Sequence, residues 1–360
     1  MNQLDSHNSL GSALLGRSFV HPLFDYLLIG GALSLMATVF ALSNPDYLDI
    51  SEAAAVPLFV LLSNSSHFAA STVRLYTKPG ANKALPFLTM LFPLVTIAVV
   101  TFCLFDPTQS GRHINSFYLT WSPYHYAAQA YGLAVMYSYR SGCILGKTDK
   151  RLLWWVCMPA FFLTFFFRPA VGMEWLMPDV WASTTAGAEA FFDATQFSLT
   201  VLAFVAPVAL FVKLWRSKSG PMPVISLMAI VSNAVWWCVL SPRHAFVWAT
   251  IFHGIQYLAI VTIFHVKDQV ARPENRRGWV FHSISFYAMC IALGYALFQC
   301  VPLAYVFAGF GHVESMLIIA AAINLHHFIV DAYIWRLKPT DGNRKIVDSV
   351  TQTAEPAAAS

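Results

Sequence analysis

The feature that most constrains this chain is a recurrence of apolar stretches, each about 20 residues long, separated by short polar connections. At ~1.5 Å per helical residue such a stretch matches the hydrocarbon thickness of a bilayer. Lipid offers no partner to a backbone N–H or C=O, so repeated stretches of this kind fold as helices. Ten spans are expected, at roughly 23–43, 53–73, 84–105, 115–138, 152–171, 194–214, 222–240, 245–266, 279–300 and 314–336. Composition agrees, with 57% hydrophobic and 11% charged residues among 360, where a soluble domain carries about 25% charged. A soluble enzyme, a disordered chain, a disulfide-stapled secreted module and a nucleic-acid binder are thereby excluded. The expected fold class is all-α, a polytopic transmembrane bundle of about ten helices whose first partner is the lipid bilayer.

The connections set the expected orientation. Arg74, Lys78 and Lys83 follow the second span, and Arg140, Lys147, Lys150 and Arg151 the fourth. Lys213 and Arg216 follow the sixth, Lys267, Arg272, Arg276 and Arg277 the eighth, and Arg336 and Lys338 the tenth. The alternate connections are poor in Lys and Arg. Positive charge stays on the cytoplasmic side, so both termini are expected there, with the protein multi-pass in the cell inner membrane. Residues 1–22 form a cytoplasmic segment without the apolar run of a signal peptide. Residues 23–338 form a single bundle and 339–360 a disordered tail. Trp175 and Trp181 mark a long connection expected at the outer interface. Six cysteines without a CxxC pair read as small buried hydrophobes.

Ionisable groups inside spans are costly, face the bundle interior and mark functional paths. His21 and Asp25 lie at the inner end of the first span, His67 in the second, His125 in the fourth, and His253 with His265 in the eighth. His282 opens the ninth, and His326, His327 and Asp331 lie in the tenth. Positions i and i+4 share a helix face, which pairs His21 with Asp25, His327 with Asp331, His125 with Gln129 and His253 with Tyr257. His67 has Ser71 one turn on and Arg74 two turns on. A metal-bound histidine hands its second N–H to such a neighbour. The depths of these residues differ by one or two turns, so their side chains are expected to converge in one layer. The candidate metal ligands are His21, His67, His125, His253, His326, His327 and Asp331. Adjacent His326 and His327 point ~100° apart, so only one faces a shared centre. Asp331, Tyr124, Tyr257 and Arg74 are the candidate catalytic groups, with Arg74 read either as an interfacial anchor or as a clamp on an acidic head group or on Asp331. His265 and His282 read as interface residues.

Imidazoles with one carboxylate favour non-heme iron, as one ion or two. An intramembrane iron site receives O2 and an apolar substrate directly from the bilayer, and oxidation of a lipophilic small molecule, with electrons from a redox partner protein, is the expected activity. Three alternatives remain at this point, and the plainest is an accessory subunit whose histidines only pack and bind no metal. His125 and His253 would be the axial pair of a heme b electron carrier, or the histidines and Asp331 would relay protons in a coupled transporter.

Leu240-Ser241-Pro242-Arg243-His244 is similar to the His-Ser-Pro-Arg-His stretch of Brp/Blh-type carotene-cleaving membrane oxygenases, with leucine in place of the first histidine. Histidines scattered singly over many helices resemble that family as well. The resemblance covers these few residues and implies a metal-dependent membrane oxygenase. The HxxxH and HxxHH boxes of membrane desaturases are absent.

Overall fold

A computed structural model describes residues 14–44, 56–78, 81–167, 185–217, 220–337 and 342–348. Among them every regular element is helical. Helices α1 (Pro22–Ile29) and α2 (Ala32–Ser43) meet at a 54° bend. The bend sits on Gly31, whose φ of +85° is open to glycine, and a Cβ there would fall 2.5 Å from Ser232 Oγ. The main helices that follow are α3 (Ser66–Thr77), α4 (Phe87–Phe105), α5 (Arg112–Arg140), α6 (Lys147–Cys157), α7 (Ala186–Trp215), α8 (Val224–Val239), α9 (Pro242–Val270), α10 (Trp279–Phe307), α11 (His312–Ile334) and α12 (Gly342–Asp348).

Five of these, α4, α7, α9, α10 and α11, are long and apolar enough to cross a membrane, and the bent α1–α2 pair makes a sixth. The apolar windows of α9 and α11 are 61% and 50% buried, whereas those of α7 and α10 are 22% and 17% buried. Thus α9 and α11 are central, and α7 and α10 present apolar surface outward.

The other expected spans are helical, but they differ from a plain apolar rod. The 53–73 stretch contains a π-helical turn, Val60–Ser65, before α3. The 115–138 stretch is α5, a continuous helix of 29 residues. Its inward face carries Ser116, Ser122 and His125, all buried, and these polar groups lower its hydropathy. The 152–171 stretch breaks at Met158 between α6 and the short helix Pro159–Leu163. The 222–240 stretch is α8, only 16 residues long. Trp175 and Trp181 lie outside the described residues. The 339–360 segment, expected as a disordered tail, includes α12, whose Asn343, Ile346 and Val347 are buried against the bundle. The tail expectation read composition alone and missed three inward-facing positions within one short helix.

Two glycines bring the central helices close. A Cβ on Gly254 of α9 would lie 3.0 Å from the Ser63 carbonyl oxygen, and one on Gly294 of α10 would lie 2.8 Å from that of Ser65. The π-helical turn therefore nests against α9 and α10. π turns recur where a helix is re-aimed at a functional site, and this one ends two residues before His67.

Candidate metal centre

His67 on α3, His125 on α5, His253 on α9 and His327 on α11 are all buried. Their rings form a closed ring of neighbours. Centroids are 4.9 Å apart for His67–His253, 5.0 Å for His253–His125, 5.0 Å for His125–His327 and 4.7 Å for His327–His67. Each pair meets edge to face. One nitrogen from each of the four lies within 4.8 Å of the others.

For His67 and His327 the hydrogen bonds fix which nitrogen that is. His67 Nδ1 lies 2.9 Å from the Asn64 carbonyl. A carbonyl only accepts, so Nδ1 carries the proton and Nε2 bears a lone pair. His327 Nδ1 lies 2.9 Å from Ser71 Oγ, while the Ser71 hydroxyl donates to the Phe68 carbonyl at 3.1 Å. Its one proton is used, so Ser71 accepts from His327 Nδ1–H, and His327 Nε2 is also bare. The Nε2 atoms of His67, His125, His253 and His327 are all buried without a hydrogen-bond partner. An orphaned buried polar atom costs about 1–3 kcal/mol, and four of them on rings this close together are an arrangement a cation relieves. Bonds of ~2.0–2.1 Å to imidazole require the nitrogens to close inward only slightly. Nδ1–H held by a carbonyl or hydroxyl is the outer support that orients metal-bound histidine.

Aromatic rings wall the cluster. Phe68 packs at 3.9 Å from the His67 ring, Tyr126 at 4.2 Å from His253, and Phe328 stacks at 4.3 Å on His125. Asp331 stands at its edge. Its Oδ2 lies 3.4 Å from His327 Nε2, without the angle of a hydrogen bond. Its Oδ1 accepts from the Tyr257 hydroxyl at 2.6 Å, and Trp335 Nε1 donates to that same hydroxyl at 3.3 Å.

A cavity of about 410 Å³ opens beside the cluster. His125 belongs to both, Tyr257 and Asp331 line the cavity as well, and Trp121, Tyr124, Trp154 and Phe328 supply aromatic walls. Tyr124 packs edge-on against Trp154 and Phe161 at 5.8 and 5.5 Å. It thus lines the chamber.

Other expected site residues lie elsewhere, each for a definite reason. His21 is exposed, and its Nδ1 accepts from Leu23 N at 3.2 Å as the cap of α1. His326 points to another face of α11, stacking on Phe92 at 4.6 Å, so His327 alone of the adjacent pair faces the centre. Arg74 pairs with Asp268 at 3.2 Å and donates to Asn343 Oδ1 at 2.8 Å. It ties α3 to α9 and α12 and makes no hydrogen bond to Asp331. His265 stacks on Phe286 at 4.2 Å, and His282 meets Asn275 Oδ1 at 2.8 Å. His244 of the Ser-Pro-Arg-His stretch bonds Ser241 at 2.9 Å near the start of α9 and stays outside the cluster. Gln129, expected to support His125, donates to the His253 carbonyl at 3.3 Å.

Sequence reasoning missed Asn64, Trp335 and the part played by Ser71. Their only signal was proximity to a candidate histidine or to Asp331 along one helix. No protein-family model matches the chain, and no curated protein or solved structure matches it.

Proposed function

We propose that this protein is an integral-membrane, metal-dependent oxidoreductase that uses one non-heme iron ion to oxidise a lipid-soluble substrate. The single observation that carries this reading is the meeting of four buried imidazoles from four helices, each with an unpartnered Nε2. Imidazole suits several transition metals, and the carboxylate of Asp331 beside His327 tips the choice to iron. Among the described residues this is one compact group, which favours a single ion over two. The crossed, edge-to-face packing of four rings at about 5 Å favours an ion over heme b, because a porphyrin needs a flat gap between two axial imidazoles. Bound iron would supply O2 activation.

The chain's own groups have separable tasks. His67, His125, His253 and His327 would hold the ion, and Asn64 and Ser71 would orient two of them. Asp331 would sit beside the ion, hold a proton on Oδ2 or complete the ligand set, and Tyr257 would pass a proton to Oδ1. The aromatic chamber would admit the substrate while excluding water. Ten crossings of the cell inner membrane, with both termini cytoplasmic, and electrons from a partner reductase belong to the same proposal.

The test is metal analysis with a visible spectrum of the purified full chain in detergent. About one equivalent of iron without a Soret band is expected. His125→Ala and His327→Ala should each empty the site while helicity by circular dichroism is unchanged. A folded protein that takes up no transition metal, or one that shows a Soret band, overturns the reading.

A further inference from the structure

A second cavity, of about 230 Å³, lies between the ends of α3 and α9. Arg74, Thr77 and Lys78 line it from the end of α3, and His265, Asp268 and Arg272 from the end of α9. Its charge does not balance. Three cations, Arg74, Lys78 and Arg272, share it with one carboxylate, Asp268. Arg74 holds that carboxylate at 3.2 Å. Among the described residues neither Lys78 nor Arg272 has an ion pair. Arg272 Nη2 donates to the Thr77 carbonyl at 2.9 Å, a neutral acceptor that leaves the charge standing.

Arg74 adds an observation of a different kind. It is 3% exposed, so each of its donors needs an acceptor within the protein or the cavity. Nη2 has two, Asp268 Oδ2 and Asn343 Oδ1. Nη1 is buried and has none. The most buried cation of the cavity therefore keeps an unspent donor.

Depth indicates what reaches this place. Helix α9 has 29 residues and is apolar enough to cross a membrane. At ~1.5 Å per residue it is about 44 Å long, the thickness of a bilayer with its head groups. A crossing helix of that length ends among the lipid phosphates, and Asp268 and Arg272 lie on either side of its last residue, Val270.

We propose that this cavity is a phosphate site, filled by the head group of an anionic phospholipid or by free phosphate. A carboxylate offers two oxygens, and one guanidinium fork occupies both; a phosphate keeps a further oxygen for a second cation. Basic pockets between helices at the membrane surface suit such head groups. Asp268 lines the same cavity and opposes an anion, which gives the site a sign that can be tested. The site is independent of the four histidines.

The test uses two probes on the purified, delipidated full chain in nonionic detergent: radiolabelled dioleoylphosphatidylglycerol, and orthophosphate by equilibrium dialysis. Dioleoylglycerol, the same chains without phosphate, is the reference. Phosphatidylglycerol held above the dioleoylglycerol level makes the source a lipid head group, and orthophosphate held alone makes it the free ion. Lys78→Gln and Arg272→Gln should each weaken that binding about tenfold, the loss of a charge-assisted contact. Asp268→Asn should tighten it. Arg277→Gln, which removes a nearby cation that does not line the cavity, should leave it unchanged. Lys78 is exposed and Arg272 half-buried, so their substitution leaves the bundle closed, and the gain expected of Asp268→Asn cannot come from a misfolded chain. Four results each overturn the proposal: no phosphate held by the wild type in either arm, unchanged binding in Lys78→Gln or Arg272→Gln, unchanged or weakened binding in Asp268→Asn, and an equal loss in Arg277→Gln.

Discussion

Two buried aspartates in this molecule carry the same local signature and do opposite things. Asp25 follows His21 by four residues, and Asp331 follows His327 by four. Each accepts a tyrosine hydroxyl from another helix, Tyr137 at 2.8 Å for Asp25 and Tyr257 at 2.6 Å for Asp331. Asp25 then fills its remaining capacity with backbone. The N–H groups of Phe19, Val20 and His21 all donate to it, so it fastens the chain entering α1. Asp331 instead turns Oδ2 to His327 Nε2 at 3.4 Å and lines the cavity. His21 is used as a helix cap, whereas His327 keeps its Nε2 bare. Spacing puts a His and an Asp on one face. Only the number of donors already spent on them separates a carboxylate saturated by backbone from one that keeps an oxygen toward the candidate centre.

The largest contrast is expected between the two histidines. His327→Ala should lose the metal entirely, and His21→Ala should keep a full equivalent, both read by elemental analysis of purified protein. Equal metal content in the two variants would break the comparison. Next come the carboxylates. Asp331→Asn should weaken metal binding about 10–100-fold, the usual effect of altering a neighbour of the ligands, in a competition assay with a chelator. Asp25→Asn should leave metal affinity alone and lower unfolding free energy by about 1.5–3 kcal/mol, because the carboxylate's bonds are charge-assisted.

Smaller effects sharpen the same line. Tyr137→Phe and Tyr257→Phe each remove one hydroxyl, about 1 kcal/mol of stability. Only Tyr257→Phe should also slow proton-dependent turnover, visible as a changed pH profile. The smallest effect concerns a third carboxylate outside the spans. Asp106, in the turn between α4 and α5, accepts from the Ser110 N–H at 3.2 Å and hydroxyl at 3.0 Å. These bonds hold its carboxyl below the ordinary range. Its folded value is depressed, so its stabilisation is present above the unfolded value and is lost as pH falls through the folded one. Asp106→Asn should lower the thermal midpoint slightly at neutral pH and not at all in strong acid.

The all-helical bundle and the four imidazoles were legible in the sequence because each signal is local. Hydropathy marks segments, and an ionisable residue in an apolar segment announces itself. The partners were not legible. Ser71 sits one turn from His67 yet serves His327, and Gln129 sits one turn from His125 yet reaches the His253 carbonyl. Helical spacing says which face a side chain occupies and is silent on which helix that face meets. Here the meeting is set by Gly254 and Gly294, which let the π-helical turn before α3 lie against α9 and α10. Nothing in hydropathy marks either glycine. The ten-span expectation shows the same limit. The interior helix α5 carries the polar groups that serve the centre, so it departs from the apolar rod that span-counting looks for.

The four imidazoles come from α3, α5, α9 and α11, spread over most of the chain's length. A ribosome delivers His67 early and His327 last of the four. No partial product can assemble the full set, so on the proposed reading an ion would be captured only once α11 has docked. Metal loading would then report completed membrane insertion, and a nascent chain arrested before α11 should leave the translocon empty-handed.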